Sequence, residues 1–332
     1  MNHPPSAPLT VAVAVIAAFG TGCMPFGDTA DAAERPYTPP PPPPAATPVA
    51  AWYPENPVQG GLLVLTVSPG DSLPGSAVIG VDGTVAGQQL TFGRRDNGTW
   101  LAAGGIPIDT QDSIAVPLLV YRAAGDAESL HVAVPVAAGE YRMERLSVAP
   151  QFGQRPDSAL ARRQADEAAR ARQVSIRSLS TPRMWSPPFH HPRPGRVTSG
   201  FGHGRTFNGQ VQSRHMGTDF AGAVGTPVEV TNCGVVRLVV DFYLAGRAIY
   251  VDHGAGLVTG YFHLSEQLVA EGDTVHTGQL IGRTGATGRV TGPHLHWIAR
   301  FGTTTVDPVA LFALDSVDVG GVQELHASGC RR

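Results

Sequence analysis

The chain has 332 residues, of which 42% are hydrophobic and 15% are charged, and its formal net charge is −3. This length allows about two domains with a buried core, and a slightly acidic chain gives no electrostatic basis for binding nucleic acid. The 40 glycines and 29 prolines favour short strands joined by tight turns. We therefore predict an all-β protein that has no nucleic-acid partner.

The first 33 residues resemble an export signal. Their apolar run, residues 9–19, is too short to cross a bilayer, which takes about 20 apolar residues. Two processing routes remain open. Cleavage near Ala30-Asp31-Ala32 would release a soluble product, whereas lipidation of Cys23 would anchor a lipoprotein in the membrane. Both routes predict a location outside the cytoplasm, in the periplasm or cell envelope.

Residues 34–50 are predicted to be a proline-rich linker. Six consecutive prolines at positions 39–44 favour polyproline II, which rises about 3 Å per residue and is stiff. A segment of this kind is typical of a stalk that holds folded domains away from a membrane or a signal end.

Residues 51–150 contain short apolar runs separated by turn signals, which favours an antiparallel β-sandwich. The predicted strands are residues 62–67, 77–81, 116–121 and 131–136, and the predicted turns include Asp82-Gly83, Asp96-Asn97-Gly98 and Gly125-Asp126. The segment holds no cluster of histidine, cysteine and carboxylate residues. We expect a spacer or groove-covering module, with a site for a regulatory protein partner as the alternative.

Residues 151–182 are predicted to connect the two domains and to contain a short helix. Strong helix formers fill residues 156–173, and Asp157 or Ser158 can cap the first turn. Because large apolar side chains are almost absent, we expect a solvated connector and not a core element.

Residues 183–314 are predicted to form a second domain of short antiparallel strands with prominent loops. The predicted strands are residues 228–231, 235–241, 248–252, 258–263 and 294–300. Five residues within it carry the chemistry: His215, Asp219, His263, His294 and His296.

These five residues indicate a hydrolase site. Side chains alternate along a strand, so His294 and His296 should point the same way. Two histidines and an aspartate are an acceptable zinc shell, because a catalytic zinc keeps three protein ligands and one open position. Two imidazoles would then remain for proton transfer.

The motifs around these residues resemble those of the M23 (lysostaphin/LytM-type) zinc metallopeptidases. The matching motifs are SGFGHGRTFNG, RHMGTDFAGAVGTPV, YVDHGAGLVTGYFHLSE, VAEGDTVHTGQLIGRTGATG and GPHLHW. The resemblance implies one zinc ion held by His215, Asp219 and His296, with His263 and His294 as the catalytic pair. It also implies a peptidoglycan endopeptidase with a small antiparallel β fold and an N-terminal β-sandwich domain.

Other residues carry weaker expectations. Arg205 and Asn208 are predicted to line the substrate groove, and His253 is predicted to have a structural role. In an oxidising compartment Cys233 and Cys330 are predicted to form a disulfide that staples the tail, residues 315–332, to the second domain. The alternative is one buried and one exposed thiol.

The sequence therefore predicts an exported zinc endopeptidase that cuts the peptide cross-links of peptidoglycan. The alternative is a non-catalytic activator of other wall hydrolases, or a wall-binding scaffold. Activators of that kind typically lack one or more of the five residues, and this chain has all of them.

Overall fold

The computed structural model describes residues 47–70 and 77–317. The predicted export signal with Cys23, most of the proline-rich linker, and the tail with Cys330 lie outside these residues. No helix in the described part of the chain is long and apolar enough to cross a membrane.

The N-terminal half forms two four-stranded sheets, with strand orders β1-β2-β6-β5 and β4-β3-β7-β8. The strands are β1 (Val49–Tyr53), β2 (Leu62–Ser68), β3 (Val78–Val85), β4 (Gln88–Gln89), β5 (Gly93–Arg94), β6 (Trp100–Gly105), β7 (Ser113–Arg122) and β8 (Ala127–Pro135). One hydrophobic cluster fills the space between the sheets, and Leu63, Val116 and Leu118 belong to it. The predicted antiparallel sandwich is confirmed.

Strand β2 is buried on both faces. Leu63, Leu65 and Val67 point into the sandwich core. Leu62 and Val64 belong instead to the main core of the C-terminal half. The described residues lie in one compact unit. Strand β2 contributes side chains to both hydrophobic cores.

The remaining strands build a ten-stranded sheet and a three-stranded sheet. They are β9 (Met143–Leu146), β10 (Val197–Ser199), β11 (Gly204–Phe207), β12 (Val211–Arg214), β13 (Thr218–Ala221), β14 (Pro227–Glu229), β15 (Gly234–Phe242), β16 (Gly246–Gly254), β17 (Leu257–Gln267), β18 (Thr274–Val275), β19 (Leu280–Thr284), β20 (His294–Phe301) and β21 (Thr304–Val306). The central order of the large sheet is β10-β13-β20-β17-β16-β15-β18. Two 3₁₀ helices span Pro150–Phe152 and Pro308–Ser316.

Strand β9 lies within the segment predicted as sandwich, yet it pairs in parallel with β11. The sheet order β12-β11-β9 therefore attaches residues 143–146 to the second half of the chain. The domain limits themselves stay a prediction.

The connector helix, α1 (Ser158–Ser178), has 21 residues and is longer than expected. As predicted, the side chain of Asp157 caps it by accepting the Leu160 N–H at 2.8 Å. The expectation of a solvated connector that is not a core element is wrong for the last turns of this helix. Ala171, Val174, Ser175 and Ser178 are buried, a helical spacing that forms one face. Ala171 and Val174 pack on the large sheet, where small side chains allow close approach.

The two faces of the large sheet have different partners, and this positions the site. Leu295, Trp297 and Ala299 of β20 are buried in the main core, whereas Ile298 belongs to the cluster with α1. His294 and His296 alternate with the first group and so lie on the face that carries α1.

Candidate active site

His215, Asp219 and His296 converge on one point. Asp219 on β13 lies directly opposite His296 on β20, and opposite residues of an antiparallel pair share a face. His215 comes from the loop between β12 and β13. Its Nε2 lies 3.0 Å from Asp219 Oδ1 and 2.9 Å from His296 Nδ1, and His296 Nδ1 lies 2.7 Å from the same oxygen.

The chemistry of these three atoms fits a bound cation. His215 Nδ1 lies 2.7 Å from the Gly200 carbonyl oxygen, which can only accept, so Nδ1 holds the proton and Nε2 presents a lone pair. A carboxylate oxygen also presents lone pairs. Two acceptors at this distance repel unless a positive charge lies between them. Two nitrogens and an oxygen are ligands that zinc takes, and the arrangement therefore fits zinc.

Strand β17 carries His263 in an unusual backbone conformation. Phe262 pairs with His296 and faces the cluster, so regular alternation would turn His263 away from it. The register between β16 and β17 shifts at this point, and His263 has a φ of +62°. This is a β-bulge with one residue in the left-handed region. It brings the imidazole to 4.9 Å from the His294 ring and 5.7 Å from the His296 ring, between centroids.

His263 and His294 are fixed in the same tautomer. His263 Nδ1 donates to the Thr287 carbonyl at 2.8 Å, and His294 Nδ1 donates to the Gly292 carbonyl at 2.8 Å. The Nε2 atom of each ring is left as a proton acceptor, and that of His294 lies 3.6 Å from Asp219 Oδ1. Both imidazoles can therefore take a proton beside the predicted metal position.

Burial determines the charges of the cluster. It lowers the pKa of His263 well below its ordinary value, and the neighbouring His294 and His296 lower it further. It also lowers the pKa of His296 to about 4, against the opposing effect of Asp219. Burial alone would raise the pKa of the Asp219 carboxyl, but the close contacts of this carboxyl with the imidazoles of His215 and His296 hold it well below its usual range. At neutral pH the imidazoles of His263 and His296 are therefore neutral and Asp219 is a carboxylate.

Arg205 holds the second oxygen of Asp219. Its Nη2 donates to Asp219 Oδ2 at 2.7 Å and to Ser199 Oγ at 2.8 Å, while its Nε donates to Glu144 Oε2 at 2.9 Å. Glu144 Oε1 also accepts from Ser199 Oγ at 2.7 Å and from His203 Nδ1 at 3.0 Å. Arg205 therefore contacts the cluster directly, whereas the sequence predicted only that it lines the substrate groove.

Glu144 was missed by the sequence analysis, because it lies on β9, more than fifty residues before Ser199. Burial would raise the pKa of its carboxyl, but hydrogen bonds from His203, Ser199 and Arg205 outweigh this and lower it. The carboxylate is therefore ionised and holds Arg205 against Asp219.

Replacing Glu144 with glutamine should weaken zinc binding by about 10-fold, since groups that orient metal ligands typically contribute that much or more. A competition titration with a zinc chelator measures the change. Glu266→Gln is the matched control, because Glu266 forms an exposed ion pair with Arg283 at 3.2 Å. Equal zinc affinities of the two variants would contradict the role given to Glu144.

The other predicted residues lie apart from the cluster. Asn208 exchanges two hydrogen bonds with the Val148 main chain, at 2.9 and 3.0 Å, so its place in a groove stays a prediction that these contacts do not support. His253 is buried between the Cys233 carbonyl and the Thr259 hydroxyl, each at 2.7 Å, and burial lowers its pKa to about 4. A structural role fits these contacts.

Cys233 is disulfide-bonded. Its predicted partner Cys330 lies outside the described residues, so the pairing of these two cysteines stays a prediction.

Two cavities flank the cluster. One of about 190 Å³ is lined by His215, His263 and His296, and one of about 320 Å³ by Asp219, His263 and His294. Arg205, Phe207 and Arg289 line both cavities. Among the described residues, the N-terminal half contributes only Glu144 and Leu146 of β9 to their walls, and the sandwich strands contribute none.

Comparison with known proteins shows which family the segment around this site resembles. Residues 213–308 match the model of Peptidase family M23. Over 83 residues the chain is 49% identical to the peptidoglycan DD-endopeptidase ShyA of Vibrio cholerae. The aligned segment covers 25% of this chain and 19% of that protein. Over 116 residues it is 39% identical to the DD-carboxypeptidase/endopeptidase Mpg of Neisseria meningitidis, covering 35% of this chain and 27% of that protein. The chain thus spans well under half the length of these relatives.

A solved structure extends the likeness to the N-terminal half. A protein from Pseudomonas aeruginosa assigned to peptidase M23 superposes with a TM-score of 0.58 at 28% sequence identity, over 77% of this chain and 95% of that chain. The matched segment 213–308 contains His215, Asp219, His263, His294 and His296. Residues 213–308 are therefore similar to peptidase family M23, and the histidine and aspartate cluster lies inside this segment.

Proposed function

We propose that the chain is an exported zinc endopeptidase that hydrolyses the peptide cross-links of bacterial peptidoglycan. The observation that carries the proposal is the cluster of His215, Asp219 and His296, the one such group in the described part of the chain, whose ligand atoms lie within 4.8 Å of one another. His263 and His294 lie beside it with their Nε2 atoms available. The matches to proteins named as peptidoglycan DD-endopeptidases support the substrate class.

The proposed roles of the five residues follow from the geometry of the site. His215 Nε2, His296 Nδ1 and Asp219 Oδ1 would hold the zinc ion. Bound zinc supplies a Lewis acid, which polarises a carbonyl group and lowers the pKa of water towards 7. One of His263 and His294 accepts the proton of the attacking water at its Nε2. The other, in the form that carries a proton on Nε2, donates a hydrogen bond to the developing oxyanion, and the proton taken from the water then passes to the leaving amine.

The location and further partners of the chain are also proposals. Substrates in the cell wall require export to the envelope, which agrees with the signal predicted in residues 1–33. A lipid anchor at Cys23 stays a prediction, since Cys23 lies outside the described residues. A regulatory protein bound through the sandwich also stays a prediction.

The test is incubation of the purified chain with purified sacculi, followed by mass spectrometry of the released peptides. We expect fragments cut at cross-links, about one zinc ion per chain, and loss of cleavage after chelation that zinc restores. Full activity in a metal-free protein would refute the mechanism.

The activator or scaffold alternative predicts a different result. Such a protein would bind sacculi and release no peptide on its own, and an activator would increase release only when a second hydrolase is present. The complete set of five residues favours the enzyme.

A further inference from the structure

Arg289 lies between the cavities on either side of the cluster. It belongs to the loop between β19 and β20, and its main-chain N–H is anchored to the Leu244 carbonyl at 2.9 Å. Its side chain lines the cavity with His215 and also the cavity with Asp219 and His294. A ligand that occupies either cavity would meet this side chain.

The guanidinium of Arg289 has no acceptor among the described residues. Its Cζ stacks over the Phe207 ring, 4.0 Å from the centroid, and within residues 47–70 and 77–317 no hydrogen bond or ion pair holds its nitrogens. Burial, assisted by the nearby charge of Arg205, lowers its pKa to about 10, so it remains a cation at neutral pH. Five N–H donors in a partly buried place, with no protein acceptor among the described residues, are available to bind an anion.

The neighbouring arginines are different. Arg205 contacts the carboxylates of Glu144 and Asp219 at 2.9 and 2.7 Å, so its charge is compensated. Arg214 lines only the smaller cavity and lies over the Tyr141 ring, 5.6 Å from the centroid. Arg289 alone of the three lines both cavities with its charge uncompensated, and its guanidinium lies over a phenyl ring.

We propose that Arg289 binds the α-carboxylate of the substrate residue that leaves as the amine. This inference rests on the proposed function and adds to it a determinant of specificity. A planar guanidinium pairs with a carboxylate through two parallel hydrogen bonds, which fixes the position of the ligand as well as its charge.

The chemistry of the substrate explains why a carboxylate would lie there. When a peptidase removes a C-terminal D-residue, the leaving amine and a free carboxylate are attached to the same carbon. A cross-link can also be formed through the second amine of a diamino acid. If the carbon that carries this amine also carries a free carboxylate, cleavage again releases an amine next to a carboxylate. Arg289 would recognise the feature common to both substrates, while the zinc site acts on the adjacent bond.

The test uses two synthetic peptides that end in D-Ala-D-Ala, one with a free carboxylate and one with a terminal carboxamide. The wild-type chain is compared with Arg289→Gln, with Arg289→Lys and with the matched control Arg283→Gln. Hydrolysis gives kcat/KM for each peptide, and calorimetry on the metal-free proteins gives each Kd.

We expect the wild type to prefer the carboxylate peptide by about 10- to 100-fold, the range for hydrogen bonds between charged groups. Arg289→Gln should lose this preference and hydrolyse the carboxamide peptide as the wild type does. Arg289→Lys should recover part of the preference, and Arg283→Gln should keep all of it. An equal decrease on both peptides, or an unchanged preference in Arg289→Gln, would overturn the inference.

Failure of the proposed function gives a separate result. If the zinc-loaded wild type hydrolyses neither these peptides nor sacculi, the enzyme proposal fails, and calorimetry still decides the role of Arg289. Wild-type metal-free protein without tighter binding of the carboxylate peptide would overturn the inference.

Discussion

Zinc and hydrolysis should be lost together when His296 is replaced by alanine. His296 Nδ1 lies 2.7 Å from Asp219 Oδ1 and 2.9 Å from His215 Nε2, so its removal leaves two of the three proposed ligands. Two ligands hold zinc far less tightly than three. Because a Lewis acid contributes several kcal/mol to the transition state, hydrolysis should fall by about 10³-fold or more.

Zinc content is measured by mass spectrometry of the dialysed protein, and activity by release of peptides from sacculi. The fold should persist, because the ring of His296 lies at the site and is not part of the main core. His276→Ala is the matched control, since His276 is exposed and the contact of its N–H with Gln279 uses the main chain. A His296→Ala protein with stoichiometric zinc and wild-type activity would exclude the proposed metal site.

The alternation of strands made part of this site predictable. The strand 294–300 was expected to place His294 and His296 on one face, and β20 does so. Once β13 is known to pair with β20, the face on which Asp219 lies follows from alternation. The register that puts Asp219 opposite His296 is a property of the tertiary structure. In the sequence alone, only the family resemblance links these distant segments.

Alternation alone gives the wrong face for His263. It follows Phe262, whose side chain faces the cluster, and only the extra residue of the bulge turns His263 to the same side. A left-handed histidine costs of the order of 1 kcal/mol or more, and no local pattern signals it. Backbone strain at a functional residue is a case in which local propensity and tertiary structure disagree.

Two predictions from the local sequence were wrong, in both cases because small residues serve close packing. Asp82-Gly83 was predicted as a turn, yet both residues lie in β3 and pair with β7. A β-carbon on Gly83 would lie 2.4 Å from Leu118 Cδ2, so this glycine serves close packing. The helix α1 appeared too poor in large apolar residues to be buried, but Ala171 and Val174 suit a close contact with the sheet.

Replacing His263 with asparagine should separate catalysis from metal binding. Asparagine tolerates the left-handed conformation that His263 adopts at φ +62°, so the bulge can remain while the imidazole is lost. The three proposed ligands do not include His263, and zinc content should therefore stay at the wild-type level. Loss of a general acid or base typically lowers kcat by about 10²- to 10⁴-fold.

Steady-state kinetics on a defined cross-linked peptide measures this effect, with zinc content determined on the same preparation. His276→Asn is the matched control and should change neither quantity. Wild-type kcat in His263→Asn would show that the bulged imidazole takes no part in proton transfer, and loss of zinc would make it a ligand. Retained zinc with a large decrease in kcat is expected, because the Nε2 of His263 is available for proton transfer while its Nδ1 donates to the Thr287 carbonyl.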